Sequence, residues 1–191
     1  MERRPWTLVS PKFLGGLITA SLVLWAAHLM ASSGGRTGVS ASANGCSCHN
    51  SSPNASGAVT ISITGPQSVE VGSVTDYTIS VTGGPSGTAG GFDLSANGGT
   101  LTAGTGSKIS NGELTHSSGG LRSWSFKWTA PSTIGSYRFV AVAQSTNGSG
   151  TGGDSWNWYG GAAGAAFNIT VTESTPVART SWGKVKTKYR N

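Results

Sequence analysis

The sequence predicts an all-β protein, a sandwich of about seven to nine short strands across residues 57–174. Apolar and polar residues alternate with a period of two there, and Gly- and Pro-rich turns separate the alternating stretches. No segment after residue 31 carries an apolar stripe with helical spacing. Strands with one apolar face bury that face by stacking one sheet on another. Hydrophobic residues make up 36% of the chain, which is enough for a core.

Residues 1–33 predict an export signal or a signal anchor. Arg3, Arg4 and Lys12 precede an apolar stretch over residues 13–31 that holds no Asp, Glu, Lys or Arg, and small polar residues follow. This order is typical of a secretory signal. The stretch also approaches the length of about 20 residues that spans a bilayer, so an uncleaved anchor stays open beside cleavage. Both alternatives predict a secreted or cell-envelope location, because the positive charges stay on the cytoplasmic side.

The candidate strands follow a Ser-, Gly- and Asn-rich linker, residues 34–56. The predicted inward-facing residues are Val59, Ile61, Ile63, Tyr77, Ile79, Val81, Trp124, Phe126, Trp128, Phe167, Ile169 and Val171. Residues 137–143 are apolar or small on both faces, which predicts a central strand covered on both sides. Residues 144–164 predict a Gly-rich loop whose aromatic residues either pack back on the end of the sandwich or form an exposed contact surface.

The formal charge of +6 belongs to the ends of the chain. Nine of the 13 Lys and Arg residues lie before residue 57 or after residue 174, and five of these lie in the tail, residues 175–191. The strand region has four Lys and Arg against six Asp and Glu, which leaves it near −2. A nucleic-acid-binding domain concentrates cations on the fold itself, so that class is disfavoured. The basic tail predicts a solvated extension or a tether to the envelope.

The chemistry-bearing motif is Cys46-Ser47-Cys48-His49, in the linker. A disulfide across one residue is strained and closes a tiny loop, so it stabilises the fold little. Cys-x-x-Cys-His attaches c-type haem, with both thiols bonded to the porphyrin and the His on the iron. This chain has one residue fewer between the cysteines. Because no Met follows Met30, His116 is the only other His or Met after the signal region that can ligate the iron.

Three interpretations of the motif stay open. One is a haem c attached through Cys46 and Cys48, with His49 and His116 as the metal-ligating pair. The second is zinc held by two thiolates and one or two imidazoles. The third is a labile redox disulfide or an intermolecular crosslink. His116 taken alone is explained more simply as a polar residue of a hairpin over residues 111–118.

An enzyme is not expected. The strand region has six scattered carboxylates and one histidine, which does not predict paired carboxylates or a nucleophile with its base. The Gly-rich segments also lack the Lys and helix of a phosphate-binding loop.

The ordered segments around the motif resemble a known family. They are GCSCH (45–49), VEVGSVTDYTISV (69–81), GGFDLSANGGTLTAG (90–104), NGELTH (111–116), WSFKWTAP (124–131) and GGDSW (152–156). Together they resemble the bacterial Reeler-like domain of choice-of-anchor V type surface proteins, over about residues 36–173. The resemblance implies an immunoglobulin-like antiparallel sandwich, secreted or anchored to the envelope. It also implies Cys46, Cys48, His49 and His116 as a haem site, and a structural or cation-binding role for Asp154.

The sequence therefore leaves two functional hypotheses from different classes. The first is a surface electron-transfer protein with one haem c. The second is a structural or adhesive surface module without a cofactor, in which the cysteine pair forms a disulfide or crosslink. Both predict cell-envelope or surface components as partners and allow self-association, with membrane contact only through residues 1–33 and no nucleic acid.

Overall fold

The computed structural model describes residues 34–175, and it confirms the predicted all-β sandwich. The predicted export segment and the basic tail beyond residue 175 lie outside the described residues. Within residues 34–175 the strands are β1 (Val59–Thr64), β2 (Ser68–Glu70), β3 (Val74–Gly83), β4 (Gly90–Ala96), β5 (Thr100–Ala103), β6 (Ser107–Ser110), β7 (Glu113–His116), β8 (Ser123–Thr129), β9 (Gly135–Ser145), β10 (Ser155–Trp158) and β11 (Ala166–Thr172). No helix in this range is long and apolar enough to cross a membrane.

Two sheets stack face to face. The first has four strands in the order β1-β3-β8-β5, and all its pairs are antiparallel. The second has seven, in the order β2-β11-β9-β4-β7-β6, with β10 paired to β9. Strand β2 pairs with β11 in parallel, so the second sheet is mixed and not wholly antiparallel as predicted. The two strands lie at opposite ends of the sandwich sequence, so no hairpin forces them to run antiparallel.

The structure has more strands than the predicted seven to nine. Five of the eleven strands in the described range contain only three or four residues, namely β2, β5, β6, β7 and β10. Alternation over so few residues gives no recognisable period. The prediction of a loop over residues 144–164 is wrong in part, because β10 lies inside it. This strand too is short enough to leave no alternating pattern. Its Trp156 is buried, as expected for packing.

The core lies between the two sheets, and all twelve predicted inward-facing residues are buried in it. Cross-strand register sets this arrangement, since Tyr77 lies opposite Phe126 and Ile79 opposite Trp124. The Tyr77 and Phe126 rings stack at 5.7 Å between centroids. The indole N–H of Trp128 donates to the carbonyl oxygen of Gly98 at 2.9 Å, so this ring is buried with its polar atom satisfied.

The opposite face of the second sheet is also covered, as predicted for the central strand β9. Asp93 lies opposite Val142 in the β4–β9 pairing, so the two side chains share this outer face. Residues 34–56, hereafter the docked segment, lie over it. The backbone N–H groups of Val39 and Ser40 donate to the Asp93 carboxylate, both at 2.9 Å. The predicted linker is therefore a fixed layer on the sandwich.

Two tryptophans of β10 hold the docked segment. The indole N–H of Trp156 donates to the Asn50 carbonyl oxygen at 2.8 Å, and that of Trp158 donates to the Ser42 carbonyl oxygen at 3.1 Å. Gly45 lies against the Trp156 ring with φ +45°, and a Cβ there would come within 2.2 Å of the ring. Glycine at this position thus permits both the turn and the close approach that place the adjacent Cys46.

Candidate functional site

The four residues singled out by the sequence line one cavity of about 50 Å³ between the docked segment and the second sheet. They are Cys46, Cys48, His49 and His116. Besides apolar and glycine positions, the wall includes Arg36, Asp93 and Gln144. A turn shapes the motif, since the His49 N–H donates to the Cys46 carbonyl oxygen at 2.9 Å.

His49 has a polar partner on each ring nitrogen. Its Nδ1 lies 2.7 Å from Oδ2 of Asp154, and its Nε2 lies 3.0 Å from the side-chain nitrogen of Gln144. Asp154 is buried, and its Oδ1 accepts the backbone N–H of Asn147 at 2.9 Å. With an ionised Asp154, Nδ1–H donates to the carboxylate and Nε2 accepts from the amide. Asp154 therefore orients His49.

His116 is fixed in the cavity wall by β4. Its Nδ1 accepts the backbone N–H of Phe92 at 3.0 Å. The ring lies beside those of Phe92 and Trp124, with centroids 6.4 and 6.5 Å away. It occupies the space that a side chain at Gly91 would need, because a Cβ there would lie 2.5 Å from its Cε1. The predicted hairpin residue is therefore a buried residue at the end of β7.

The two cysteines differ in their surroundings. Both are free thiols. Burial of its thiol raises the pKa of Cys46 to about 12, and the negative charges of Asp93 and Cys48 add to that rise. By contrast, Nη1 of Arg36 donates to Sγ of Cys48 at 3.2 Å, on the exposed side of the cavity. The site thus has one desolvated thiol and one thiol beside a cation.

Asp93 and Gln144 are site residues that the sequence analysis missed. Oδ2 of Asp93 accepts two backbone N–H groups, but Oδ1 is buried without a hydrogen-bond partner among residues 34–175. The same holds within this range for Oε1 of Gln144. Burial raises the pKa of Asp93 to about 7, with a further rise from Glu113. The available signal was a carboxyl group between Phe92 and Leu94 in a strand of apolar and small residues.

The cavity does not fit a haem in this arrangement. About 50 Å³ accommodates roughly one or two water molecules, whereas a porphyrin is a macrocycle of four pyrrole rings. The Nε2 atom of His49 that would face an iron is bonded to Gln144. Haem attachment therefore stays a prediction from the motif. Within residues 34–175, no three His, Cys, Asp or Glu side chains are grouped closely enough to hold a metal ion.

The fold and the cavity define a two-sheet sandwich with a polar, thiol-bearing pocket. No family model matches the sequence, and no curated protein matches it. The resemblance to Reeler-like domains accordingly stays a prediction. Among solved structures, the CARDB domain of the PF1109 protein from Pyrococcus furiosus, in complex with di-metal ions, is 16% identical with a TM-score of 0.33. The match covers 62% of this chain and 96% of that domain, and a likeness of this degree says nothing about ligands or activity.

Proposed function

We propose that the protein is an exported, envelope-associated β-sandwich that carries a reversible dithiol–disulfide pair, Cys46 and Cys48. The observation that carries this proposal is that both thiols line one small cavity together with the Arg36 guanidinium and the Asp93 carboxyl group. The cavity has the size of a thiol and a water molecule, and its charged groups are those that control thiol reactivity.

The spacing of the pair favours a redox role over a structural one. A disulfide between Cys46 and Cys48 closes too small a loop to stabilise the fold, and the strain of that loop makes the bond easy to reduce. The sandwich needs no such bond, since its core contains the fully buried Trp124 and Trp128 among closely packed aromatic rings. Disulfide chemistry also suits the oxidising location that residues 1–33 predict.

Export and surface partners complete the proposal. The predicted signal places the sandwich outside the cytoplasm, where cell-envelope or surface components are its expected partners. The sandwich then acts as the scaffold that displays the cavity. Self-association through an intermolecular Cys–Cys bond is the competing use of the same two thiols.

A covalently attached haem c, which would supply one-electron transfer, is the second candidate. One observation favours it: Nδ1 of His49 is bonded to the buried carboxylate of Asp154, the outer partner that metal-ligating histidines commonly have. In that case Cys46 and Cys48 would hold the group, with His49 and His116 on its iron. The cavity would first have to widen and Gln144 would have to release Nε2.

One preparation tests both candidates. The full chain is exported in a host with haem-maturation machinery, and the mature product is analysed by absorption, intact mass and thiol titration. We expect no Soret band and, after mild oxidation, a monomer lighter by two hydrogens that regains two titratable thiols on reduction. The variants Cys46→Ser and Cys48→Ser should each lose this mass change. A haem-sized mass increase, or a pair that oxidises only into crosslinked dimers, would overturn the proposal.

A further inference from the structure

The docked segment begins close to the point where the predicted export segment ends. The apolar stretch over residues 13–31 lies outside the described residues, and only residues 32–34 separate it from Gly35. Gly35 lies tightly against β7, because a Cβ there would come within 2.3 Å of the His116 carbonyl oxygen. The chain from residue 31 to Gly35 reaches at most about 14 Å when fully extended. The sandwich is therefore held close to any bilayer that the apolar stretch enters.

Strand β6 is the edge of the second sheet that lies nearest to this attachment point. It pairs with β7 and ends the sheet on that side, whereas β2 at the opposite edge lies four strands from β7. The docked segment also contacts the turn between β6 and β7, since the Asn111 side chain donates to Oγ1 of Thr37 at 3.2 Å. Strand β6, residues 111–112 and residues 35–38 are hereafter the β6 edge. A membrane at the attachment point would meet this edge first.

The β6 edge has two exposed cations without an ion-pair partner in the described range. Lys108 lies opposite Thr115 in the β6–β7 pairing, so its side chain shares the face on which the docked segment lies. Arg36 is exposed beside the same residue, since its carbonyl oxygen accepts from Oγ1 of Thr115 at 3.3 Å. The ion pairs of the described range involve neither cation, and Glu113 of β7 accepts hydrogen bonds from the docked segment. Anionic headgroups are therefore a matching partner.

Apolar side chains lie next to these cations. Ile109 lies opposite the core residue Leu114 and yet is 43% exposed, so the first sheet leaves it uncovered. Leu121 is 39% exposed beside the start of β6, where a Cβ on Gly106 would come within 2.6 Å of its Cδ1. Apolar and cationic side chains together suit the headgroup region of a bilayer. A partner strand fits this edge less well, because β6 is short and its exposed lysine opposes strand pairing.

We infer that residues 1–33 stay attached as an anchor and that the β6 edge rests on the anionic phospholipid surface of the membrane that they enter. This inference rests on the export that the proposed function assumes, and not on its thiol chemistry. A few cations and apolar side chains bind a bilayer weakly by themselves, but a short tether holds them there at a high effective concentration. The sandwich then has one orientation, with Lys108 and Ile109 at the lipid and β2 away from it.

Docking of the segment also opposes removal of the anchor. Proteases cleave exposed and loosely held segments, and cleavage near residues 31–33 needs the residues that follow to be accessible as well. Backbone groups of Arg36, Gly38 and Val39 are instead hydrogen-bonded to side chains of the second sheet. Once the sandwich has folded, these residues are withheld from a protease.

The test is the labelling of lysines in the full chain by a neutral, water-soluble acylating reagent, measured by mass spectrometry. Lys108 is the probe, and Lys127, exposed on the first sheet, is the internal reference. In vesicles with about one third anionic phospholipid, labelling of Lys108 relative to Lys127 should fall about fivefold compared with the same protein in neutral detergent. This protection should shrink at about 0.5 M salt, because salt screens the attraction.

Two matched variants and a spacer locate the contact. Ile109→Ser should reduce the protection of Lys108, whereas Ile134→Ser, the same change at an exposed isoleucine before β9, should leave it unchanged. About twelve Gly and Ser residues inserted after Ser33 should also reduce the protection, because a long flexible linker lowers the effective concentration. Circular dichroism checks that each variant is folded.

The outcomes separate this inference from the function on which it rests. The intact mass of the exported protein should include residues 1–33, and a product that begins near residue 34 would overturn the retained anchor without affecting the dithiol. Equal protection of Lys108 and Lys127, or equal effects of the two isoleucine variants, would overturn the membrane-facing edge. A chain that stays in the cytoplasm would instead refute the proposed function itself.

Discussion

The buried carboxylate of Asp154 decides which nitrogen of His49 faces the cavity. It accepts from Nδ1 of His49 through one oxygen and from the Asn147 backbone through the other. Removing a buried side chain that accepts two hydrogen bonds strongly destabilises the fold, because both donors are left without a partner. Asp154 thus links the turn that contains the cysteines to the loop before β10.

Replacing Asp154 by Ala should therefore destabilise the fold by roughly 1–3 kcal/mol in chemical denaturation. The nitrogen resonances of His49 should also report a mixture of tautomers. The matched control is Asp76→Ala, which removes an exposed ion pair with Lys127 and should cost less than about 1 kcal/mol. Equal losses for the two variants would show that Asp154 does not hold the segment.

Strand β8 shows at the level of the element how alternation becomes packing. Trp124, Phe126 and Trp128 point into the core, while Ser123, Ser125 and Lys127 are exposed between them. Three large rings on one strand face explain why this strand was predictable from sequence. Strand β10 could not be predicted from sequence. Its four residues pair with the end of β9, and they show no alternating pattern that would indicate this pairing.

Truncating Trp128 to Ala should cost about 3–5 kcal/mol of unfolding free energy, because it empties the volume of a fully buried indole. Ser125→Ala, on the same strand but facing solvent, should change stability by less than about 0.5 kcal/mol. Urea denaturation of the two variants measures the difference directly. A small loss at Trp128 would contradict its place between the sheets.

At the scale of the whole molecule, the sandwich and the docked segment were predictable to different degrees. The alternating residues determine the core because each inward position meets water unless a second sheet covers it. The motif drew attention to Cys46 and His49 because its residue types are reactive. Asp93 and Gln144 were missed because they reach the site only through the pairing of β4 with β9, more than 40 residues away from the motif. The sequence predicted that the central strand is covered on both faces but not that residues 34–56 supply the cover, since a Ser- and Gly-rich segment carries no apolar pattern.

The raised pKa of Asp93 gives the folded molecule a pH dependence of known sign. The folded carboxyl group titrates near 7, whereas in the unfolded chain it titrates near its usual value of about 4. Between these values the folded state binds more protons than the unfolded state, so this group's contribution to stability falls as pH rises. The variant Asp93→Asn has no titrating group at this position, so its stability does not decrease with pH for this reason. The unfolding free energy of the natural protein, relative to Asp93→Asn, should therefore decline between about pH 4 and pH 7 and level off above it. Denaturant titrations at several pH values measure this difference, and a difference that rises with pH would mean that the fold stabilises Asp93 as the carboxylate, contrary to its raised pKa.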